Sequence, residues 1–567
     1  MTRTSPIISI GIGYNAAIKQ DSIPSMVDLQ PFVKISDLRT DCATNRPYAT
    51  YEPDFWLLDG QYKFLPDNLA ALHVGIMNQI QSDGSSLWAS APTLTITFSK
   101  DQTAEGLTLY FAEYSNDYVN SLDIRWYDAS DVQIGSTYLG TPTSWWFYVD
   151  QAVENFRKII IRFYSTNKPY RYLRLRGIDY GQMLTFQGNE IMEANVIEEA
   201  IPFAIEARAN SFEVQIYSAA AQFSPINPGG DYNSLTERQP IAVSEQIGNQ
   251  YTFIGQYYLE KWENVSDTEI KFSCTDILGI IDKIMCKGGI WLGDGIQVED
   301  LLYDLLDSAG IPYDLEASLY GTVIHGWLPI CTYREALQQI AFAIGAYLDS
   351  SRDRPLKIYP TVLASDNPDI DFVITKAHKG MDQNVTLRPL VTGVEVISHD
   401  IIYAGGSIEL YNGTLAAGDH EIDFKQPCHG LLVTGATISE SGANYAILHV
   451  VTTGAVTLNG LAYTDCRKKH AVYNAVLPTS VLPNIIKIED ASLVNSYNAD
   501  TIAQKLYDYY QQRLIQEARL YASAAATGDV LSIDSLHSKQ IRAIVEGMQT
   551  NLTGGMIQQV NAVGVAI

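Results

Sequence analysis

The hydrophobic pattern between residues 93 and 180 alternates with a period of two, in short runs separated by Gly, Pro, Asn and Asp. The runs are Thr93–Phe98, Leu107–Tyr114, Leu122–Asp128, Ser144–Asp150, Lys158–Tyr164 and Arg171–Tyr180. Strands at such even spacing, with turn residues between them, are typical of an all-β sandwich. Together with the stretch before it, the pattern predicts a compact sandwich at residues 35–177.

A second β-rich block follows at residues 178–290, where "NSFEVQIYS" and "TEIKFSC" alternate strongly. Cys274 lies inside the second of these runs, so we expect it to be buried. The period then changes to about 3.6. One helical face would carry Val298, Leu301, Leu302, Leu305 and Leu306, with Gly310 as the stop. This change predicts a small α/β subdomain at residues 291–380.

The second helix of that subdomain begins in "PICTYREALQQIAFAIG", which also holds a cysteine beside an arginine and a glutamate. Thr332 and Glu335 fit a capping box, in which each side chain satisfies a free backbone N–H at the helix start. A helix N-terminus also lowers the pKa of a thiol, so Cys331 is a candidate nucleophile. His325 is the nearest base in sequence, and no orienting His/Asn set follows. The pattern therefore favours a helix start over a reactive site.

The rest of the chain returns to short strands and closes on one more helix. Residues 381–485 read as a β-rich domain, and a helix is predicted from about Asn498 to Ala524. Three strands, "GDVLSID", "QIRAIVEGM" and "GMIQQVNAVG", end the chain. With an N-terminal segment at residues 1–34 and a closing region at 486–567, the pattern predicts a mainly β, multidomain protein with α+β subdomains.

Length, charge and hydropathy exclude several classes of protein. A chain of 567 residues should divide into about three to five domains. Its net charge is −26, and proteins that bind nucleic-acid phosphates need a positively charged surface. Sequence-specific nucleic-acid binding is therefore not expected. No apolar run approaches the roughly 20 residues of a membrane helix, and the N-terminus lacks a signal-peptide core. We expect synthesis in a cytosol.

Motifs for catalysis, metals and cofactors are weak or missing from the sequence. The six cysteines form no CxxC pair, and no GxSxG or HExxH motif is present. Asp366, Asp369 and Asp371 resemble a calcium loop but lack its glycine and closing glutamate. "GIGYNA" partly matches a dinucleotide fingerprint, yet Pro24 would end the required helix early. We predict no catalytic residue, no metal and no cofactor.

Aromatic side chains in the sandwich are the remaining candidates for contact with a glycan or a partner. Alternation along "SWWFYVD" puts Trp145 and Phe147 on one side of a strand and Trp146 and Tyr148 on the other. One set must be core, and the other is available as a contact surface. The candidate contact residues are Trp145, Trp146, Tyr148, Tyr114 and Tyr118.

Four motifs together resemble one protein family. They are "NSFEVQIYSAAAQFSPINPGG", "GQYYLEKWENVSDTEIKFSCTDILGIIDK", "GWLPICTYREALQQIAFAIGAYLDSSRDRPLKIYP" and "EGMQTNLTGGMIQQVNAVG". They are similar to baseplate or tail-tip hub proteins of phages, prophages and phage-like particles of Gram-positive, especially clostridial, hosts. The resemblance covers residues 182–567. The N-terminal sandwich, with "KISDLRT" and "YATYEPDFWLLDG", looks like a galactose-binding-like jelly-roll insert.

The resemblance implies a ring of three hub subunits that caps the tail tube at the tail tip. Each subunit would supply two tube-like β-barrel domains, giving a pseudo-sixfold surface. Partners would be the tail tube or distal tail protein, the tape-measure protein, and spike or fibre proteins. An acidic lumen would suit passage of DNA. Some relatives carry a fused peptidoglycan hydrolase; this chain ends after the last hub strand, so we expect that enzyme to be absent.

Two other functions stay open at the level of sequence. One is a tail-associated cell-wall hydrolase, for which no catalytic constellation is visible. The other is an adhesin that binds host cell-wall glycan through the N-terminal sandwich. The sequence does not distinguish a contractile tail from a long flexible one.

Overall fold

The computed structural model describes most of the chain. The described residues are 4–12, 16–39, 50, 52–53, 75–104, 106–112, 115–204, 206–218, 223–224, 227, 235–247, 250–286, 289–307, 309, 311–352, 355–365, 369–375, 379–403, 405–477, 481–521, 525–534, 540–553, 555 and 557–566. Strands predominate over helices, so the predicted mainly β class with α+β subdomains is confirmed.

The N-terminal strand and the sandwich occupy the first third of the chain. Their elements are β1 (Thr4–Ile12), α1 (Ala16–Asp21), β2 (Ile23–Ser25), a 3-10 helix (Ile35–Arg39), β3 (Ile76–Met77), β4 (Thr93–Ala104), β5 (Leu107–Tyr110), β6 (Val119–Tyr127), β7 (Gln133–Gly140), β8 (Trp146–Val149), β9 (Val153–Thr166), β10 (Arg174–Leu175) and β11 (Gly177–Tyr180).

Two sheets in this region face each other across one core, which confirms the predicted sandwich. One sheet has the order β2-β4-β9-β6-β7 and the other β11-β5-β8. Alternation drives the packing: Leu94, Ile96 and Phe98 of β4 point inward and are buried. The predicted strands are present. The edge strand β7 was not anticipated, because only one of its residues is buried and such a strand lacks the alternating signal.

The middle of the chain supplies strands of a larger sheet and a small α/β unit. Its elements are β12 (Gln182–Gln187), a 3-10 helix (Gly188–Glu190), β13 (Ile191–Glu199), β14 (Ser211–Tyr217), β15 (Pro240–Ile247), β16 (Gln250–Ser266), β17 (Glu269–Thr275), α2 (Ile277–Ile281), β18 (Ile290–Gln297), α3 (Val298–Leu302), a π-helical turn (Tyr303–Asp307), β19 (Tyr313–Leu315), a 3-10 helix (Ala317–Leu319), β20 (Val323–Leu328), α4 (Tyr333–Ile344), β21 (Ala346–Asp349), β22 (Leu356–Pro360), β23 (Phe372–Ile374) and β24 (Lys379–Leu387).

The C-terminal part closes the large sheet after a β-rich insertion. Its elements are β25 (Gly393–Ile402), β26 (Ser407–Leu415), β27 (Gly418–Asp423), β28 (Cys428–Thr434), β29 (Thr437–Ser441), β30 (Tyr445–Val450), β31 (Gly454–Ala462), β32 (Thr464–Tyr473), β33 (Ile485–Ile488), α5 (Ala499–Gln511), β34 (Leu514–Tyr521), β35 (Val530–Asp534), β36 (Gln540–Asn551) and β37 (Ile557–Ala566).

One sheet of thirteen strands joins the two ends of the chain. Its main path is β12-β1-β15-β16-β17-β14-β13-β36-β37-β34-β24, and β35 and β23 branch from β36. β13 and β36 pair antiparallel at the centre, so an N-terminal half and a C-terminal half meet there. Among the described residues the path is open, with β12 and β24 at its ends. The closed tube-like barrels therefore stay a prediction.

The α/β unit has the predicted helices, with one local difference. The five apolar residues predicted for one face of the first helix, from Val298 to Leu306, are all buried in one core. After α3 the chain winds as a π-helical turn over Tyr303–Asp307 instead of continuing as an α-helix. Gly310, the predicted stop, lies outside the described residues. Cys274 is 3% exposed on β17, as expected.

The predicted long helix from Asn498 to Ala524 is wrong in its second half. The helix α5 ends at Gln511, and residues 514–521 form β34. β34 pairs with β24 on one side and β37 on the other, so ladder hydrogen bonds form along both of its edges. Apolar and polar residues alternate along β34, and this tertiary pairing overrides the helical preference of the local sequence. The three predicted closing strands are confirmed as β35, β36 and β37.

Residues 407–462 form a compact module, which we call the junction module. It is inserted between β25 and β32, which pair along their whole length. Its two three-stranded sheets have the orders β26-β31-β28 and β27-β30-β29. They share a small core that includes Phe424, Leu448, Val456 and Leu458.

Candidate functional site

The large sheet has one apolar and one polar face, and this polarity is its main surface property. On β14, Phe212, Val214 and Ile216 are buried, while Glu213 and Tyr217 are exposed. A similar alternation continues in β36 and β37, interrupted in each by consecutive buried residues, such as Val545 and Glu546 at a bulge in β36. One face of the sheet therefore packs against hydrophobic cores, and the other face is accessible and can line a surface.

The polar face continues across the seam between the two halves, where the exposed Ile197, opposite Gln549, is an apolar exception. Antiparallel partners share a face, and Asn195 of β13 lies opposite Asn551 of β36. Further along, Gln549 lies opposite Gln559 on β37, and Asn561 lies opposite Glu517 on β34. We call this surface the amide face because Asn and Gln side chains predominate where the two halves meet.

Charged residues on the same face are mostly paired. Lys271 Nζ lies 3.0 Å from Glu213 Oε2, and Lys261 Nζ lies 2.7 Å from Glu263 Oε2. Such exposed pairs stabilise the fold by only about 0–1 kcal/mol. Their main effect is on the electrostatic potential of the face. Because each lysine is paired with a glutamate, these pairs add no net positive charge that would bind a polyanion.

A buried ionic network lies behind the C-terminal half of the sheet. Glu546 on β36 accepts a hydrogen bond from Arg388 and another, at 2.8 Å, from the Tyr509 hydroxyl on α5. Burial raises the pKa of Glu546, and the Arg388 guanidinium opposes that shift. Removing one partner of such a pair leaves an uncompensated buried charge, so the network fixes α5 against the sheet.

The Cys331 stretch has the predicted helix-start geometry. Thr332 Oγ1 accepts from the Glu335 backbone N–H, and Glu335 Oε2 accepts from the Thr332 backbone N–H at 2.9 Å. Gly345 ends α4 with φ +69°, in the left-handed region that favours glycine. The capping box and the helix end are confirmed.

Cys331 itself is unsuited to nucleophilic chemistry in this structure. It is buried, and burial together with nearby Cys286 raises the pKa of its thiol to about 12. A thiol with so high a pKa stays protonated and unreactive at neutral pH. His325, the candidate base, stacks on Tyr497 with ring centroids 4.5 Å apart. Arg334, the charged neighbour, pairs with Asp282 and Glu206 at 3.1 Å each.

The sandwich aromatics divide between core and surface. Trp145, directly before β8, is 9% exposed. Trp146 and Tyr148 are half-buried and share one side of β8, which is the edge strand of its sheet. Tyr118 lies directly before β6, where it packs partly against the sandwich core. Tyr114 is outside the described residues. Their predicted contact role stays a prediction, with Trp146 and Tyr148 the pair that shares one accessible side.

The described part of the acidic loop is tied to the neighbouring strand β35. Asp371 Oδ2 accepts a hydrogen bond from the Val530 backbone at 2.8 Å, and Asp366 is outside the described residues. Within the described part of the chain, no group of three or more His, Cys, Asp or Glu residues is placed to hold a metal ion. No helix there is long and apolar enough to cross a membrane.

The amide face was missed by the sequence reasoning. A signal for it existed in "GMQTN" and "QQVNAVG", where amides recur at every second position. Alternation shows that one side of each strand is polar, but not that β13 and β36 join two such sides into one surface. That juxtaposition depends on strand order, which residues so far apart in sequence do not reveal.

Comparisons with known proteins give distant structural likenesses. No protein-family model matches the chain, and no curated protein matches it either. The tail protein from Neisseria meningitidis MC58 is similar, with a TM-score of 0.40 and 11% identity, over 68% of this chain and 94% of that one. The 43 kDa tail protein of prophage MuSo2 from Shewanella oneidensis has a TM-score of 0.40 and 10% identity, over 67% and 96%.

A third likeness is to the prophage tail protein gp18 from Listeria monocytogenes EGD-e, with a TM-score of 0.38 and 8% identity, over 67% of this chain and 91% of that one. All three solved structures are tail proteins, and two are from prophages. Likenesses at such TM-scores do not establish a family, so the function of this chain is argued from its own residues.

Proposed function

We propose that the chain is a structural hub protein at the tail tip or baseplate of a phage or phage-like particle. It would cap the tail tube as a trimeric ring and connect the tube to a spike or fibre assembly for host attachment and delivery of a genome or effector. The sequence motifs motivate this proposal. The observation that carries it is the single open-edged sheet of thirteen strands, which joins two halves of the chain.

The two ends of this sheet suit assembly with further copies of the chain. β12 and β24 are end strands, and β24 exposes Val385 at 44% and Leu387 at 64%. Edge strands with accessible apolar residues pair readily with another strand. Contact between unlike edges is heterologous, and heterologous contacts close into rings when the rotation fits. Exposed edges of this kind support a ring.

The two halves of the sheet support a pseudo-sixfold arrangement. The N-terminal half runs from β12 to β13, and the C-terminal half from β36 to β24. Three copies would place six such units around one axis, as a match to a sixfold tube requires. The amide face would then line the lumen, where paired charges and neutral amides let a polyanion pass without binding it. In this arrangement the tape-measure protein would end at that lumen.

Oligomeric state tests the proposal directly. Mass photometry of the full chain should give a species of three times 62.8 kDa, and a reconstruction should show three copies around one ring. The double variant Val385→Lys, Leu387→Lys should dissociate the ring, because charges on an edge strand oppose pairing. The matched control Val132→Lys, Leu139→Lys changes two exposed apolar residues of the sandwich and should remain trimeric. A wild-type chain with one, two or six copies per particle would overturn the trimer.

A cell-wall hydrolase is the alternative from a different class. The buried, protonated Cys331 argues against a cysteine nucleophile. A zymogram with purified peptidoglycan should show no clearing. If the wild-type chain produced clearing and Cys331→Ala abolished it, the chain would be an enzyme and the purely structural proposal would be wrong.

A host-glycan adhesin acting through the sandwich is favoured by one observation. Trp146 and Tyr148 lie half-exposed on one side of edge strand β8. Binding of the full chain to cell-wall glycan that is lost in Trp146→Ala, Tyr148→Ala, with trimerisation retained, would support this role. Binding that survives the double substitution would assign it elsewhere.

A further inference from the structure

The junction module meets the α/β unit at a close and specific contact. The Ala443 backbone N–H donates to Gly289 O, and the Trp327 indole N–H donates to Asn444 Oδ1 at 2.7 Å. Gly289 has φ +77°, and a Cβ there would lie 2.6 Å from the Asn444 backbone nitrogen. A side chain at Gly289 would therefore clash, which shows how closely the two parts approach.

Four aromatic rings from separate parts of the chain gather beside this contact. The ring centroid of Trp291 on β18 lies 4.2 Å from that of Tyr403 and 4.9 Å from that of Tyr463. His429 on β28 lies 4.6 Å from Tyr403 and 4.8 Å from Tyr463. We call these four residues the aromatic cluster. Tyr403 is 58% exposed, so the cluster is accessible and not a closed core.

A cavity of about 540 Å³ opens next to the aromatic cluster. Its lining combines three members of the cluster with other uncharged groups: Trp291, His429, Leu431, Ile438, Tyr445 and Tyr463. Among the described residues that line it, none is Asp, Glu, Lys or Arg. In a chain with a net charge of −26, an uncharged cavity is a distinctive local environment. Its size is in the range of small-molecule sites, roughly 300–1,000 Å³.

The cluster also keeps hydrogen-bonding capacity. The Trp291 indole N–H is shielded from solvent and has no acceptor among the described residues. Burial, followed by the neighbouring Tyr403 with which it shares a hydrogen bond, raises the pKa of Tyr463, so its hydroxyl stays neutral. The Tyr445 hydroxyl is already used, because it donates a hydrogen bond to Glu440 at 2.8 Å. An unpaired buried donor is costly, and an acceptor brought by a ligand would relieve that cost.

We propose that this cavity binds a neutral saccharide of one or two rings. The apolar C–H face of a sugar ring packs against aromatic rings, and its hydroxyls need neutral donors and acceptors such as indole, imidazole and phenol groups. An acidic sugar or phosphate would lack a cationic partner here. An organic cation would find aromatic rings, but no carboxylate lines the described wall. The balance of rings, neutral polar groups and volume favours the saccharide.

This site is distinct from the sandwich surface and does not depend on ring assembly. It is formed by residues of β18, the junction module and the two strand ends that flank it. Failure of sugar binding would leave the oligomer test unaffected, and a monomeric chain could still bind sugar.

Saturation-transfer NMR with the full chain tests the proposal. The probes are glucose, galactose, N-acetylglucosamine, lactose and maltose, with tetramethylammonium as the cation probe. At least one sugar should receive saturation, and titration should give its dissociation constant. If none of the five sugars binds, or if tetramethylammonium alone binds, the proposal is overturned.

Variants assign the bound sugar to this cavity. Trp291→Ala should weaken binding about tenfold or more, which corresponds to loss of one good aromatic contact. Because Trp291 also packs at the junction, Ser441→Trp provides a second test: Ser441 is exposed at the cavity wall, so a bulky ring there blocks the cavity without removing a core contact. Leu139→Ala, at an exposed position of the sandwich, is the control and should leave the dissociation constant unchanged. Unchanged affinity in Ser441→Trp, or loss of binding in Leu139→Ala, would overturn the assignment.

Discussion

The sandwich and the junction module are both inserted at the ends of paired strands, yet they are stabilised differently. The sandwich lies between β1 and β12, which pair from Ile7 opposite Gln187 to Ile12 opposite Gln182. The junction module lies between β25 and β32, which pair up to Ile402 opposite Thr464. In both cases the two chain ends are adjacent, so a whole domain can be inserted without disturbing the host strands.

Core size is where the two insertions differ. The sandwich buries large rings completely, including Phe111, Phe156 and Phe163. The junction module has six short strands and a core of mostly small aliphatic residues. Small modules bury too little apolar surface to be stable by their own core alone. We infer that the sandwich is self-sufficient and that the module depends on its contact with the α/β unit.

The largest effect is expected in the sandwich core. Phe163→Ala removes a fully buried ring from β9 and should destabilise the sandwich by about 3–5 kcal/mol. Differential scanning calorimetry should show one lowered transition. Leu139→Ala, at a 77% exposed position of β7, is the control and should change stability by less than about 0.5 kcal/mol. If the transition temperature of the junction module fell by the same amount as that of the sandwich, the two insertions would be coupled.

A core substitution in the junction module should have a somewhat smaller effect. Leu448→Ala on β30 should cost about 2–4 kcal/mol, toward the lower part of the usual range, because a small module relaxes around the cavity. Hydrogen exchange should show lost protection confined to residues 407–462. Protection lost equally in the sandwich would contradict the independence of the two insertions.

Disrupting the junction contact should lower the free energy of unfolding by less than either core substitution. Asn444→Ala removes the acceptor of the Trp327 indole N–H and the donor to Phe424 O, and it should destabilise the module by about 1–3 kcal/mol. Chemical denaturation followed by tryptophan fluorescence measures the change. Asn412→Ala, at an exposed position whose side chain donates a hydrogen bond to Glu409, is the matched control with little expected effect. Equal effects in both variants would show that the junction contact does not stabilise the module.

The smallest expected effect concerns the start of the sandwich. The Ser99 hydroxyl, with Gln102 and backbone N–H groups, lowers the pKa of Asp21 below 3.8. A folded-state pKa below the unfolded value means that the stabilisation is present above pH 3.8 and is lost as the pH falls through the folded value. Asp21 is partly exposed, so the contribution is a few tenths of a kcal/mol.

Thermal melts of Asp21→Asn and wild type across pH test this contribution. The wild type should be slightly more stable at neutral pH, and the two proteins should converge below pH 3.8. A difference that is constant over the whole pH range would show that the ionised carboxylate has no such role.

Local patterns predicted those elements whose signals are local. Alternation found the sandwich strands, and Thr332 with Glu335 located the start of α4, because capping and amphipathicity depend on residues a few positions apart. The error at β34 arose because residues 514–521 suit a helix locally, whereas pairing with β24 and β37 decides their conformation. For the aromatic residues in "SWWFYVD", alternation predicted two sides of a strand, and Trp146, Phe147 and Tyr148 are all half-buried. Their contact role stays a prediction, because alternation does not show what either side binds.

The sequence by itself determined the mainly β composition, most strand positions, the capped helix and the absence of a basic stripe. These properties follow from the order of neighbouring residues and from total charge. Tertiary structure alone decided that β13 joins β36 and that the aromatic cluster of Trp291, Tyr403, His429 and Tyr463 forms beside a cavity. Contacts between residues hundreds of positions apart are set by strand order and domain packing, for which no local pattern carries a signal.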